Sequence, residues 1–357
     1  MKKLIFIISI ALFCGSCHTE KKENVVVSTE TNTENAEKKT VKMILDLDTG
    51  IDDAMALAYA LADPQIELIG VVASYGNVTV DESIRNTLSI LDMLNHKEVP
   101  VFRGADRALG EKETYSVSPI IRMIHGENGI GNTTVATSSR KMEEQDGVSF
   151  MIESAKKYGK GLYIVAVGPV TNLDAVIQKE PDFKNQVGKI VIMGGALIVE
   201  GNINHYAEAN VFHDPVAANN FFVSGTPFTM VGLDITQRTN LTKSDTQKWR
   251  DLGTVSGKAY ADMVDYYIDA YKISKPDLAG CALHDPLAVA VSVHPDLVKT
   301  LSLYMKVGTT KEDWGRTIGE YGKMNDPNPN VEVCVDVKVQ EFVDLFKDTL
   351  TELFKKN

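Results

Sequence analysis

The stretch Met43–Ala54, MILDLDTGIDDA, places four aspartates within eight residues of one another. The apolar run between Val41 and Leu47 predicts a buried strand, and the apolar residues that recur at helical spacing after Gly50 predict a helix. Gly50 therefore falls on the turn between the two elements. Ligands of open α/β sheets bind at the carboxyl ends of the strands, so we expect the four acids to line one crevice there.

The four carboxylates, Asp46, Asp48, Asp52 and Asp53, indicate a metal site. Like charges a few ångström apart raise each other's pKa, and a bound divalent cation removes that penalty. Oxygen ligands favour Ca²⁺ or Mg²⁺. Helix capping by Asp52 and Asp53 is the structural alternative, but it leaves the other two acids unexplained. The spacing of the glycine and the acids does not fit an EF-hand loop.

The overall composition is that of a globular protein. The chain has 357 residues, of which 44% are hydrophobic and 24% are charged, and this is enough for one large core. The net charge of −11 argues against a nucleic-acid partner bound through its phosphates. Single nucleosides carry no phosphate and remain possible ligands.

The N-terminal segment Met1–Cys17 resembles a bacterial lipoprotein signal peptide with Cys17 as the lipidation site. A basic start, an apolar stretch from Leu4 to Phe13 and small residues before Cys17 carry the resemblance. Cys14 stands where an aliphatic residue is usual, and a plain secretory peptide is the alternative. Residues 18–40 are polar and predict a disordered tether. We therefore expect a periplasmic or cell-surface lipoprotein of a bacterium that contacts the membrane only through its anchor.

Two cysteines, Cys281 and Cys334, remain after removal of the leader and modification of Cys17. Two cysteines do not make a disulfide framework. A pair in an oxidising compartment is possible, but we expect both to be buried small residues.

From Val41 onward, strand-like and helix-like segments alternate, which predicts a Rossmann-like α/β domain over residues 41–357 with a mainly parallel sheet flanked by helices. The predicted strands after the first are Ile66–Ala73, Val99–Phe102, Leu162–Val167 and Lys189–Met193. The predicted helices after the first are Asp81–Leu94, Thr171–Lys179, Pro215–Ser224, Lys258–Lys272, Asp285–Val293 and Val339–Lys355. We expect Gly126–Gly131 to be an active-site loop and Lys311–Pro329 to be a surface excursion.

Polar residues follow several of the predicted strands. Ser74–Asn77, Gly168–Asn172 and Met193–Gly195 each stand at a strand end, and His284 with Asp285 opens a helix. Each group alone is typical of a turn, and His284 with Asp285 is also compatible with helix capping. Together the groups predict a ring of polar residues around one crevice.

The chain resembles the inosine-uridine-preferring nucleoside hydrolase family. The motifs that carry the resemblance are DxDxGxDDA at 46–54, YGN at 75–77, HGxxGxG at 125–131, GPxTN at 168–172, MGGA at 193–196, GN at 201–202, ExN at 208–210 and HDP at 284–286. Thr49 departs from the proline of most members, but this position supplies no metal ligand.

The resemblance implies the nucleoside hydrolase fold and a Ca²⁺-dependent hydrolysis of the N-glycosidic bond of ribonucleosides to free base and ribose, as in purine or pyrimidine salvage. It implies a Ca²⁺ held by the carboxylates of Asp48, Asp53 and Asp285 and by the backbone carbonyl of Thr171. Asp48 would also be the general base, and His284 would protonate the leaving base. It also implies a homodimer or homotetramer.

The resemblance also assigns residues to the nucleoside. The residues expected to bind ribose are Asp52, Asn77, Asn202, Glu208 and Asn210, with Met193 packed along the sugar. His125 is expected to contact the base. Tyr266, Tyr267 and Tyr271 could add aromatic contacts, although at least one of them must face the core of the protein.

A binding protein is the alternative to an enzyme. A catalytically inactive nucleoside- or ribose-binding lipoprotein would keep the pocket and lose turnover. The presence of Asp48 and His284 argues against it, because a binding protein needs neither a general base nor a general acid.

Overall fold

The structure is a computed structural model that describes residues 40–276 and 278–357. The predicted signal peptide, its lipidation site and most of the predicted tether lie outside the described residues. None of the described helices has the length and apolar character needed to cross a membrane.

Strands and helices alternate along the first half of the described chain. The strands are β1 (Val41–Leu47), β2 (Ile66–Ala73), β3 (Val101–Arg103), β4 (Leu162–Ala166), β5 (Lys189–Met193), β6 (Phe228–Val231), β7 (Asn240–Leu241), β8 (Cys281–Ala282), β9 (Val298–Leu303), β10 (Met305–Val307), β11 (Thr317–Gly319) and β12 (Val331–Val337). The helices are α1 (Ile51–Ala62), α2 (Val80–Met93), α3 (Pro119–His125), α4 (Gly147–Tyr158), α5 (Thr171–Lys179), α6 (Phe183–Gln186), α7 (Ala209–His213), α8 (Pro215–Val223), α9 (Leu233–Thr236), α10 (Lys243–Arg250), α11 (Val255–Ser274), α12 (His284–Val293) and α13 (Val339–Phe354).

Eight strands form one sheet in the order β3-β2-β1-β4-β5-β6-β12-β9. Every neighbouring pair in this sheet is parallel except β12 and β9. The mainly parallel α/β architecture that the alternation predicts is therefore confirmed.

Both faces of the sheet are covered by apolar side chains. Successive residues of a strand point to opposite faces. In β1, Leu45 packs into one buried cluster together with α1, α12 and α13, whereas Ile44 packs into a second cluster with α4, α5 and α8. Cys281 and Cys334 are free and buried, as expected of small core residues.

The strand order reverses beside β1. The chain runs from β1 to β2 and β3 on one side, and β4 and β5 continue on the other side. Such a reversal leaves a crevice beyond the carboxyl ends of the strands, where α/β proteins bind ligands. The four acids of the strand–turn–helix segment lie at this crevice.

Several elements differ from the sequence-based prediction. Helix α11 begins three residues earlier than expected, at Val255, and β3 begins two residues later, at Val101. Helix α3, at Pro119–His125, was not predicted, because a short helix offers too few turns for a periodic pattern. The excursion at Lys311–Pro329 contains β11, which pairs with β10.

Candidate active site

The Asp53 carboxylate holds the turn between β1 and α1 together. It accepts hydrogen bonds from the backbone N–H of Asp48 at 3.0 Å and of Gly50 at 2.8 Å. The Asn77 side chain donates to the same carboxylate at 2.9 Å. A Cβ atom at Gly50 would lie 2.6 Å from the imidazole Nδ1 of His125, so this turn has room only for glycine.

Asp48 lies fully buried between two motifs. Its carboxylate accepts the backbone N–H of Asn77 at 2.6 Å and the Asn77 side-chain amide at 3.4 Å. Gly76 has φ +149°, and a Cβ atom there would lie 2.0 Å from the Asp48 carboxylate. The YGN motif therefore places a side chain next to Asp48 while leaving space for its carboxylate.

Asp46 performs a different task from its neighbours. It accepts a hydrogen bond from the Asn172 amide at 2.9 Å, and the Asn172 carbonyl oxygen in turn accepts the N–H of Ala105 at 2.8 Å. Burial raises the pKa of Asp46 to about 7 despite the bond from Asn172. This carboxylate anchors the GPxTN segment to β1.

Three carboxylates form the group that fits a metal ion. Asp52, Asp53 and Asp285 are buried, and each offers an oxygen within 4.8 Å of the other two. Within the described part of the chain, Asp52 Oδ1 and Asp285 Oδ2 are buried without a hydrogen-bond partner. An oxygen-only set with unpaired, buried carboxylate atoms suits a hard divalent cation.

The raised pKa values in this group also indicate a site for a cation. Burial, and then the charge of Asp53, raise the pKa of Asp52 to about 8. The pKa of Asp285 is raised by burial and then by Asp52, Asp53 and Asp48. The charges of neighbouring carboxylates contribute to both raised pKa values, and a bound cation would remove that repulsion.

The remaining predicted metal ligands lie next to this group. Asp48 is joined to Asp53 through Asn77, whose amide contacts both carboxylates. The Thr171 hydroxyl donates to Asp214 at 2.8 Å and lies 3.0 Å from the Tyr75 hydroxyl. A metal contact from Thr171 would therefore have to come from its backbone, as the resemblance implies.

A cavity of about 340 Å³ opens beside the acidic group. The predicted substrate-binding residues Asp52, Asn77, His125, Met193, Asn202, Glu208 and Asn210 all line it, together with His284 and Asp285. Ile120, Ile121, Met123 and Ile124 of α3 form an apolar wall. A polar floor with an apolar wall suits a ligand that has a hydroxylated part and a flat apolar part.

Glu208 and Asn210 are held by the ends of strands. The Glu208 carboxylate accepts the backbone N–H of Gly195, Asn210 and Val211 at 2.9–3.1 Å, and burial raises its pKa to about 7. The Asn210 amide donates to the carbonyl oxygens of Val167 at 2.8 Å and Met193 at 3.1 Å. These bonds fix both side chains relative to β4 and β5.

The two predicted histidines are buried and neutral. His284 Nδ1 lies 2.7 Å from the Thr236 hydroxyl, and its Nε2 lies 2.7 Å from the Tyr271 hydroxyl. His125 Nδ1 accepts the backbone N–H of Ile51 at 3.2 Å. Burial lowers the pKa of each imidazole to about 3.

The tyrosines of α11 divide between the site and its surroundings. Tyr267 and Tyr271, one helical turn apart, line the cavity, and the Tyr267 hydroxyl donates to Asp52 at 3.3 Å. Tyr266 turns away and donates to the carbonyl oxygen of Met123 at 3.2 Å. The sequence alone does not distinguish these three tyrosines.

Several lining residues were not predicted from the sequence. Four of them belong to α3, namely Ile120, Ile121, Met123 and Ile124, and the others are His213, Gln237 and Lys275. Thr236, which contacts His284, was not predicted either. The apolar run at 119–124 was the available signal for α3. Thr236, Gln237 and Lys275 belong to no motif, and only the packing of α9 and α11 brings them to the site.

The fold and the site define an α/β enzyme with an acidic, oxygen-lined pocket for a small hydroxylated ligand. The family model described as inosine-uridine preferring nucleoside hydrolase matches residues 43–344, so the chain belongs to that family. The activity of this class is the hydrolysis of the N-glycosidic bond of ribonucleosides.

Individual relatives support this assignment. The chain is 34% identical to the pyrimidine-specific ribonucleoside hydrolase RihA of Enterobacter sp. (strain 638), over 87% of this chain and 97% of the relative. It resembles the solved purine-preferring ribonucleoside hydrolase from Gardnerella vaginalis with a TM-score of 0.87 and 49% identity, covering 88% of this chain and all of that one. A plant nucleoside hydrolase gives a TM-score of 0.82 at 31% identity, with 87% and 99% of the chains covered.

Proposed function

We propose that this protein is a Ca²⁺-dependent hydrolase that splits ribonucleosides into free base and ribose. The observation that carries the proposal is the group of three buried carboxylates, Asp52, Asp53 and Asp285, beside a cavity with a polar floor. Family membership favours hydrolysis over a protein that only binds nucleosides, because the named relatives are hydrolases.

The residues that would hold the cation are Asp48, Asp53, Asp285 and the backbone of Thr171, with Asp52 within reach of the same group. When bound, Ca²⁺ supplies Lewis-acid activation of water and offsets the repulsion among the carboxylates. Ca²⁺ accepts an irregular set of six to eight oxygens, which suits this mixed donor set better than the strict octahedron of Mg²⁺.

Asp48 would accept the proton of the attacking water. Its carboxylate is oriented by the backbone N–H of Asn77 at 2.6 Å. Attack at the ribose C1′ passes through an oxocarbenium-like transition state, and the surrounding carboxylates stabilise the developing positive charge. The acidic floor thus contributes to catalysis as well as to binding.

His284 would deliver a proton to the leaving base. Its Nδ1 and Nε2 lie against the hydroxyls of Thr236 and Tyr271, so an imidazolium formed by uptake of a proton from solvent would hydrogen-bond to both. It would return to the neutral imidazole by passing one proton to the base through the Tyr271 hydroxyl. General acid catalysis of this kind contributes roughly 10²–10⁴-fold.

The side chains on the cavity floor would bind the ribose. Asp52, Asn77, Asn202, Glu208 and Asn210 offer carboxylate and amide groups of fixed direction, which match the hydroxyls of a ribose ring. Met193 would pack along the sugar, and His125 would contact the base from the end of α3.

The test is the release of ribose, measured as reducing sugar, from inosine, uridine, adenosine and cytidine with Ca²⁺ and after chelation. We expect release that stops on chelation and returns with Ca²⁺. Asp48→Asn should lower kcat about 10²–10⁴-fold. Asp63→Asn is the control, because Asp63 is equally buried but lies at the far end of α1. A folded, Ca²⁺-loaded protein that cleaves none of the four would instead be a binding protein.

We also propose that the protein is exported and anchored through a lipid on Cys17, on the basis of its leader sequence. Labelling cells with an alkyne fatty acid should mark the wild type and not Cys17→Ser, and label on the variant would refute the anchor. By resemblance to its family, we propose a homodimer or homotetramer, and a monomeric mass in sedimentation would contradict this.

A further inference from the structure

Lys275 lies at the end of α11 and lines the cavity on the same side as Tyr271 and His284. It is the residue that ends the helix, and its backbone N–H donates to the carbonyl oxygen of Tyr271 at 2.7 Å. Gln237, which follows α9, lines the same part of the cavity. Lys275 and Gln237 therefore add polar side chains to the lining of the cavity.

Lys275 and Lys272 stand almost one helical turn apart and differ in their surroundings. In the described ranges 40–276 and 278–357, no carboxylate oxygen lies within 4.0 Å of the Lys275 ammonium nitrogen. The Lys272 ammonium pairs with Asp269 at 3.2 Å, and Lys272 does not line the cavity. Lys275 does line it, so its ammonium can reach a ligand there.

Two features of its surroundings shift the pKa of Lys275 in opposite directions. Partial burial lowers the pKa of the ammonium, and the Glu200 carboxylate opposes that shift. Lys275 in turn contributes to the lowered pKa of His284, so the two side chains interact electrostatically. A cationic donor therefore stands beside the residue that would protonate the leaving base.

The walls of the cavity define how a nucleoside fits. The acidic floor suits the ribose hydroxyls, and the apolar side chains of α3 suit the faces of the base. With the ribose at the acids and the base against α3, the edge of the base would face the remaining lining residues His284, Gln237 and Lys275. At this edge the bases differ in their hydrogen-bonding groups.

We propose that Lys275 is a specificity-determining residue that donates hydrogen bonds to the exocyclic oxygen of the base, so that oxo bases are preferred over amino bases of the same ring. An ammonium group donates up to three hydrogen bonds and accepts none. A 6-oxopurine presents adjacent acceptors at O6 and N7, whereas adenine presents an amino donor in place of O6. Uracil and cytosine differ in the same way at position 4. This inference rests on the proposed hydrolase function.

The experiment measures kcat/KM of the full-length protein for two pairs, inosine with adenosine and uridine with cytidine. Lys275→Met removes the charge and keeps the approximate length of the side chain. We expect it to lower the oxo-to-amino ratio of kcat/KM about tenfold or more within each pair, because a hydrogen bond from a charged donor to the oxo base is lost. The effect of the lost charge on His284 is shared by both members of a pair and cancels in this ratio. Lys275→Arg should keep much of the preference.

Lys272→Met is the matched control. It removes a lysine near the same helix end, where positive charge favours the helix dipole, but Lys272 does not line the cavity. We expect its oxo-to-amino ratios to equal those of the wild type. A Lys275→Met protein that loses activity equally on both members of each pair, or that keeps the wild-type ratios, would overturn the proposal.

The same measurements distinguish a failure of this proposal from a failure of the proposed hydrolase function. A wild type that cleaves none of the four nucleosides refutes the proposed function. In that case calorimetric binding of hypoxanthine and adenine to the wild type and to Lys275→Met decides the role of Lys275. Hypoxanthine that binds the two proteins equally well would then refute it.

Discussion

The acidic side chains of the site are positioned mainly by backbone N–H groups. Asp48 is held by Asn77, Asp53 by Asp48 and Gly50, and Glu208 by the N–H groups at the start of α7 and after β5. Bonds to ionised carboxylates are stronger than bonds between neutral groups. The carboxylates of Asp48, Asp53 and Glu208 are therefore oriented by the backbone itself.

The Tyr271 hydroxyl is the group that approaches His284 Nε2, at 2.7 Å. We predict that Tyr271→Phe lowers kcat for inosine about tenfold, because the hydroxyl through which His284 would pass its proton to the base is lost, while Ca²⁺ affinity and KM change little. Tyr266→Phe is the control, since its hydroxyl bonds to Met123 away from the acids. Steady-state kinetics and calorimetric Ca²⁺ titration measure both quantities. Equal kcat losses in the two variants would contradict the assignment.

Among the elements, α3 depends on a neighbouring helix for its position. One nitrogen of the Arg122 guanidinium, Nη2, donates to both oxygens of the Glu82 carboxylate, at 2.9 and 2.8 Å. Glu82 also accepts the N–H of Thr79 at 2.9 Å, which completes the N-terminal cap of α2. The pair is partly buried and charge-assisted, and it links the apolar wall of the cavity to α2.

We predict that Arg122→Met raises KM for nucleosides several-fold and leaves kcat nearly unchanged, because α3 becomes less ordered before the substrate binds. The control is Arg140→Met, which removes a similarly buried arginine paired with Asp92 at 3.3 Å outside the cavity. Kinetics on inosine and uridine test the difference. An unchanged KM in Arg122→Met would show that α3 is held by its apolar contacts alone.

At the scale of the whole molecule, the switch point of the sheet concentrates buried acids. Asp52 and Asp53 come from the first helix of the domain and Asp285 from α12 near its end, and the three meet in the metal-fitting group. Burying like charges lowers the free energy of unfolding unless the charges are neutralised or bind a cation. We therefore expect these buried acids to lower the free energy of unfolding of the metal-free protein.

We predict that the metal-free protein loses stability between pH 6.5 and pH 8. The pKa values of Asp52 and Asp46 are about 8 and about 7 in the folded protein, against 3.8 when unperturbed. The folded state then holds protons that the unfolded state has released, so the free energy of unfolding falls as the pH rises. Buried His125 and His284, with pKa values lowered to about 3, oppose this trend only up to about pH 6.5.

Denaturant unfolding at the two pH values, with a chelator and with saturating Ca²⁺, measures this effect. The loss with chelator should be on the order of 2 kcal/mol, and Ca²⁺ should remove the share due to Asp52, because the bound ion favours the ionised carboxylates beside it. The share due to Asp46, which bonds to Asn172 outside the metal-fitting group, should remain. Asp285→Asn should reduce both the loss and the stabilisation by Ca²⁺. A pH slope that Ca²⁺ leaves unaltered would contradict the assignment of the cation to these acids.

The prediction from sequence succeeded where the pattern is local. Strand β2 and helix α5 have the predicted bounds, and the strand–turn–helix segment around Gly50 forms as expected. Helix α3 was missed because it is short. The order of the strands in the sheet could not be predicted either, because β12 pairs with β6, which lies about a hundred residues earlier in the chain.

The sequence alone determined the α/β class and the acidic centre of the site, because strand and helix periodicities and the DxDxGxDDA spacing are properties of contiguous residues. The tertiary structure decided which side chains surround His284. Its two partners, Thr236 and Tyr271, come from α9 and α11, which are 48 and 13 residues away along the chain. Their contact follows from the packing of apolar helix faces, and many segments of a chain share such faces.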